Sequence, residues 1–175
     1  MSKAKQISLC AVMIALALAL SYTERFIPLQ LLIPLPGVKL GLANIVTLIA
    51  LYLLKTRHAF MILTARCILG SLFGGGITGL MFSLLGGLLA MSIMAAVRHW
   101  KLFSIYGVSI FGAAAHNVGQ ILAAMALMQS VYVAAYLPYL LVVAVFTGLF
   151  TGGACAGVLR VMRNVHISAP SEMCR

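Results

Sequence analysis

The sequence predicts an all-α integral membrane protein: six transmembrane helices in a single domain, residues 1–175, with both the N and C termini cytoplasmic. Three observations carry that prediction. Hydrophobic residues make up 63% of the chain and charged residues 8%, with a mean hydropathy of +1.13. A soluble domain of this size keeps too much of its surface wet to hide that much apolar side chain. The 175 residues also accommodate about six spans of roughly 20 apolar residues with short connections. Finally, nine of the twelve Lys and Arg residues fall on one side of this arrangement: Lys3, Lys5, Lys55, Arg57, Arg98, Lys101, Arg160, Arg163 and Arg175. Basic residues at alternate connections mark the cytoplasmic face.

The elements follow in order. Span 1 is predicted over 7–27, outward from Lys3 and Lys5. Its start imitates a signal peptide, with small residues at Ala15, Ala17 and Ala19. The apolar run continues to Ile27 and the basic pattern closes with six spans, so it is read as a span. Residues 28–38 form an apolar loop stiffened by three prolines, which suits a lid over a cavity or a segment resting at the interface. Span 2 runs inward over 39–54 to the basic turn 55–58, and span 3 outward over 59–73. Gly74, Gly75 and Gly76 then break the helix. Span 4 covers 77–97 and leads into the basic turn 98–101; span 5 covers 102–128. The uncharged outer segment 129–136 precedes span 6, over 137–161, and a short basic tail.

Small residues recur four apart at Gly70 and Gly74, Gly148 and Gly152, Gly153 and Gly157, and Ala11, Ala15 and Ala19. In lipid, such stripes let helix backbones approach closely. Internal packing is the reading for the glycine pairs. The alanine stripe is open between packing and docking of a partner.

Several function classes drop out. The formal net charge of +10 sits in loops flanking apolar spans and forms no single stripe, so no nucleic-acid partner is expected. Orientation and attraction to anionic membrane lipid account for it. Cys10, Cys67, Cys155 and Cys174 make no CxxC pair and read as apolar fillers, so no metal and no cofactor are expected. The acidic residues are Glu24 and Glu172, and there is no aspartate. The carboxylates that hold magnesium in prenyl synthases and most phosphoryl-transfer enzymes are therefore missing. No Walker loop is present either. No catalytic residue is assigned, and the chain is expected not to be an enzyme.

A polar side chain in the hydrocarbon region is costly unless paired or wet, which makes each one a candidate site residue. Glu24 and Arg25 mark the outer end of span 1. Lys39 opens span 2, with Asn44 about 8 Å deeper. His116, Asn117 and Gln120 lie about 20 Å or more along span 5. Their coincidence in depth predicts a hollow open to the outside, with Arg25, Lys39 and His116 favouring an anion and the amides orienting it. Interface marking by Glu24 and Arg25, snorkelling by Lys39 and interhelical bonding by the His116 group remain open beside it. Arg66, about 10 Å into span 3, either contacts the ligand or leans back toward the inner end.

The stretches PLPGVKLGLANIVTL (34–48), ARCILGSLFGGG (65–76) and AHNVGQ (115–120) resemble the Gx transporter family, also labelled heptaprenyl diphosphate synthase component I. The resemblance implies a bundle similar to the substrate-binding S components of energy-coupling factor (ECF) transporters, multi-pass in a bacterial cytoplasmic membrane. It further implies an outward pocket covered by the first loop. Small residues on the first helix, matched here by Ala11, Ala15 and Ala19, would meet a transmembrane coupling subunit driven by two ATPases.

The expected function is a substrate-binding membrane subunit of a small-molecule importer, with an outward pocket for a small anionic or amphipathic solute. Its expected substrate-binding residues are Glu24, Arg25, Lys39, Asn44, Arg66, His116, Asn117 and Gln120. The alternative is a membrane accessory subunit of a polyprenyl diphosphate synthase or quinone-precursor pathway. That alternative binds a prenyl diphosphate beside a separate soluble synthase, through Arg66 or the inner basic turns.

Overall fold

A computed structural model describes residues 3–26, 42–100 and 102–164, and these are folded mainly as α-helices. Helix α1 (Lys3–Thr23) closes in a 3-10 turn, Glu24–Phe26. Helices α2 (Asn44–Leu53) and α3 (Thr56–Gly70) form a hairpin, and a π-helical turn, Ser71–Gly75, leads into α4 (Gly76–Arg98). Helix α5 (Ile105–Met128) follows, then a 3-10 segment, Val131–Tyr136, and α6 (Leu137–Asn164). From α2 onward, short connections make consecutive helices antiparallel neighbours.

Among the described residues, four segments are long and apolar enough to cross a bilayer: Ala4–Thr23, Gly76–Arg98, Ile105–Met128 and Val131–Arg163. The protein is therefore a multi-pass membrane protein, consistent with a cytoplasmic-membrane location. Spans 2 and 3 of the six-span expectation come out shorter. Helix α2 has ten residues, against the 39–54 expected, and rises about 15 Å. Helix α3 has fifteen residues and ends at Gly70, where the π-helical turn begins. The reason lies in α2's surroundings. Eight of its ten residues are buried, so its neighbours screen it from lipid, and a screened helix need not match the bilayer thickness. The loop expected over 28–38 and Lys39 fall outside the described residues.

The glycine break falls where expected. Gly74 (φ 98°) and Gly76 (φ 61°) occupy the left-handed region, where a Cβ would clash with the backbone. The other end of the bundle turns by different means. Ser104 caps α5, its hydroxyl accepting from the Gly107 N–H at 3.4 Å. Arg98 Nη1 donates to the carbonyl of Leu51, one of the unsatisfied last-turn carbonyls of α2. The same guanidinium lies 4.9 Å from the centre of the Tyr52 ring. The C-terminus of α4 is thus fastened to that of α2, bringing Lys55, Arg57 and Arg98 to one end.

Glycines set the helix crossings. A Cβ on Gly119 of α5 would stand 2.7 Å from Gly86 Cα and 2.8 Å from the Leu85 carbonyl oxygen of α4. One on Gly148 of α6 would stand 2.6 Å from Ile110 Cα of α5. Internal packing is therefore the role of Gly148, whereas Gly157 faces open space. The main core joins Leu48, Leu51, Ile62, Leu63 and Met91 to Met13 and Ala17 of α1. A smaller core of Phe82, Ile121, Ala124 and Leu140 binds α4, α5 and α6. Because α1 packs through Met13 and Ala17, its Ala11, Ala15 and Ala19 are exposed on the outside of the bundle.

Candidate functional site

Arg66 stands ten residues beyond the start of α3 and Asn44 nine residues before the end of α2, so both lie about 15 Å from the basic turn that joins these helices. At that shared level they meet. Arg66 Nη2 donates to Asn44 Oδ1 at 3.1 Å, and Arg66 is only 7% exposed. Its Nε has no hydrogen-bond partner among the described residues. Gly87 of α4 makes the room, since a Cβ there would stand 2.8 Å from Leu63 Cδ1 and 3.6 Å from Arg66 Nη2. A guanidinium held this deep by one neutral amide retains positive charge and unused donors.

Arg66 borders a cleft of about 400 Å³ between α1, α3, the π-helical turn and α4. Ser21 and Tyr22 of α1, Ser71 of the turn and Ser83 of α4 bring polar groups to it, while Leu18 and Phe73 supply apolar wall. The Ser71 hydroxyl donates to the Ile68 carbonyl at 2.6 Å, and Cys67 Sγ donates to the Ser83 carbonyl at 3.5 Å. Phe73 is exposed, as are Leu72 and Ile77 close to it in the chain, and Tyr22 of the cleft wall makes an edge-to-face contact with Phe26 at 5.7 Å. The cleft lies at the end of α3 away from Lys55 and Arg57.

The other expected site residues are distributed differently. His116, Asn117 and Gln120 are buried in α5 and do not line this cleft. His116 packs on Gly86, where a Cβ would come within 3.0 Å of its ring. Asn117 Nδ2 donates to the Leu140 carbonyl of α6 at 2.7 Å. Neither amide atom of Gln120 has a partner among the described residues. Glu24 is buried in the turn closing α1. The side chain of Arg25 and all of Lys39 lie outside the described residues. The single polar hollow expected from depth therefore resolves into two groups. Arg66 borders the cleft and is held from behind by Asn44, and the α5 residues sit where α4, α5 and α6 join.

A second, very small hollow of about 10 Å³ touches Asn44, Ser109, Thr147 and Thr151, which is room for about one water. The Ser109 and Thr151 hydroxyls meet there at 2.5 Å. Sequence reasoning missed the serines of the large cleft. The available signal was Ser21, Ser71 and Ser83, each near the outer end of a different span. Among the described residues no group of three His, Cys, Asp or Glu could hold a metal ion. A fixed cation, hydroxyls and an apolar wall suit an anion carried on an apolar body.

The profile of a family described as heptaprenyl diphosphate synthase component I matches residues 13–158 of the chain. No curated protein and no solved structure matches it. This corrects the importer reading. The matched description belongs to isoprenoid diphosphate synthesis, so solute import, the ECF S-component and Gx transporter assignments, and the coupling subunit and ATPases they implied are set aside.

Proposed function

The chain belongs to the heptaprenyl diphosphate synthase component I family, and on that premise we propose that it is the membrane accessory subunit of a polyprenyl diphosphate synthase. The family match carries the reading. The sequence supports it by what it lacks: with no aspartate, the chain does not itself provide the paired carboxylates that hold magnesium diphosphate, so the condensation belongs to a separate soluble chain. The accessory subunit crosses the membrane six times, with α2 and α3 as its two short spans and α2 largely buried among its neighbours. It holds the synthase beside the bilayer into which the hydrocarbon product must pass. Lys55 and Arg57, exposed at the α2–α3 turn, offer that partner a basic docking face on the cytoplasmic side.

Co-expression with a soluble prenyl synthase from the same organism tests this. A tag on the membrane chain should bring the synthase down from detergent-solubilised membranes. Prenyl transfer per synthase should rise severalfold, or the product should lengthen, when both chains are present. Lys55→Glu combined with Arg57→Glu should weaken the association at least tenfold. A synthase that neither copurifies nor changes its rate or product length would overturn the reading.

A further inference from the structure

We infer that the cleft beside Arg66 is a binding site for the phosphate-bearing end of an isoprenoid lipid, whose tail leaves sideways into the bilayer. The inference takes the isoprenoid nature of the tail from the function proposed above; the anionic head and lateral exit stand on geometry alone. Arg66 is a buried cation whose one described side-chain partner is a neutral amide. Its Nε is itself buried with no partner among the described residues, so the guanidinium is under-satisfied, and Arg66 lines the cleft where an anion can reach it. A guanidinium so placed is costly in an apolar interior unless an anion joins it.

Volume and shape decide what kind of anion. About 400 Å³ is near the small end for ligand pockets, enough for a phosphate head and the first part of a tail, not for a long polyprenyl chain. The rest of such a ligand must lie outside. Phe73 of the cleft wall is strongly exposed and apolar, as are Leu72 and Ile77 close to it in the chain, which suits contact with lipid and not a route for a free polar solute. Helix α1 forms the opposite wall and holds to the bundle through Met13 and Ala17, leaving its other side exposed. A tail can therefore emerge between α1 and α4 without crossing the packed core.

A glycine of the cleft wall provides a fold-sparing test. Gly79 lines the cleft, and a Cβ added there meets nothing within 4 Å. Gly79→Phe should therefore fill the space without pushing on backbone. Asn44→Asp keeps the shape of the Arg66 contact and cancels its charge. The full chain, reconstituted in nanodiscs of phosphatidylcholine, would be titrated with farnesyl diphosphate, farnesyl monophosphate, farnesol and inorganic diphosphate. Both farnesyl phosphates should bind, with farnesol and inorganic diphosphate at least tenfold weaker. Gly79→Phe, Asn44→Asp and Arg66→Gln should each reduce farnesyl diphosphate binding at least tenfold.

Unchanged affinity in properly folded Gly79→Phe or Asn44→Asp protein would overturn the site. Equal binding of farnesol would overturn the role of Arg66. Equal competition by phosphatidylglycerol would assign the cleft to bulk phospholipid and overturn the isoprenoid assignment. Synthase copurification separates this inference from the one before it. Loss of binding in Gly79→Phe with the synthase still associated supports the site, whereas wild-type binding with no synthase association supports the site and removes the accessory role.

Discussion

Gln120 is fully buried in α5, and neither its amide oxygen nor its amide nitrogen has a partner among the described residues. An unsatisfied buried polar group costs about 1–3 kcal/mol, so an apolar side chain of similar length should be tolerated or preferred. Gln120→Met is expected to raise stability by about 1 kcal/mol, read as a higher midpoint of thermal unfolding in detergent. Asn117→Leu should act in the opposite sense, because it removes a bond to α6 and leaves the Leu140 carbonyl with one donor fewer. A lower midpoint for Gln120→Met would mean that the amide is satisfied by something bound there. The pair also marks what the sequence reveals about single residues. Depth was legible, because rise per residue is fixed along a helix. Direction was not: α5 is apolar nearly all round, so no polar face distinguishes residues aimed at the cleft from those aimed at a neighbouring helix. Arg66 was ambiguous for the same reason until Asn44 fixed which way it points.

At the scale of elements, the helix ends were largely readable. Glycine, serine and charged turns punctuate the chain, and α4, α5 and α6 begin and end within a few residues of their expected positions. The short lengths of α2 and α3 were not readable. Hydropathy reports how apolar a segment is, not whether its neighbours already screen it from lipid. The crossings are the most sensitive feature of these elements. A Cβ at Gly119 would meet the backbone of Gly86 and Leu85, which no rotamer change can move aside. Gly119→Ala should therefore force α4 and α5 apart and destabilise the protein by about 1–3 kcal/mol, the usual range for overpacking. Gly157→Ala, facing open space in α6, should be neutral or slightly stabilising through better helix propensity. Thermal unfolding of both variants in one detergent checks the contrast, and equal midpoints would show that the α4–α5 crossing is looser than described.

For the molecule as a whole, charge and cavity sit at opposite ends. Lys55, Arg57 and Arg98 gather at the end where α2 and α4 finish, and the Arg66 cleft opens toward the π-helical turn at the other. The class of fold and this polarity were legible early, because loop charge and apolar length act on topology directly. The biochemical role was not legible, since a buried cation in an apolar wall serves any amphipathic anion, and only the family match separates synthesis from import. If the positive end is cytoplasmic, a soluble synthase and the cleft are on opposite sides of the bilayer midplane. The head of a bound isoprenoid phosphate must then cross from the synthase's side to the level of Arg66 to be held. Single cysteines at Arg57→Cys and Gln129→Cys, the latter exposed in the turn that follows α5 at the cleft end, in a chain whose Cys10, Cys67, Cys155 and Cys174 are replaced by alanine, decide the orientation. A membrane-impermeant maleimide added to intact cells should label the cysteine at 129, and should reach the one at 57 only after permeabilisation. The reverse pattern would put cleft and synthase on the same side. The cleft mouth, and not the basic turn, would then be the surface to mutate in search of the docking face.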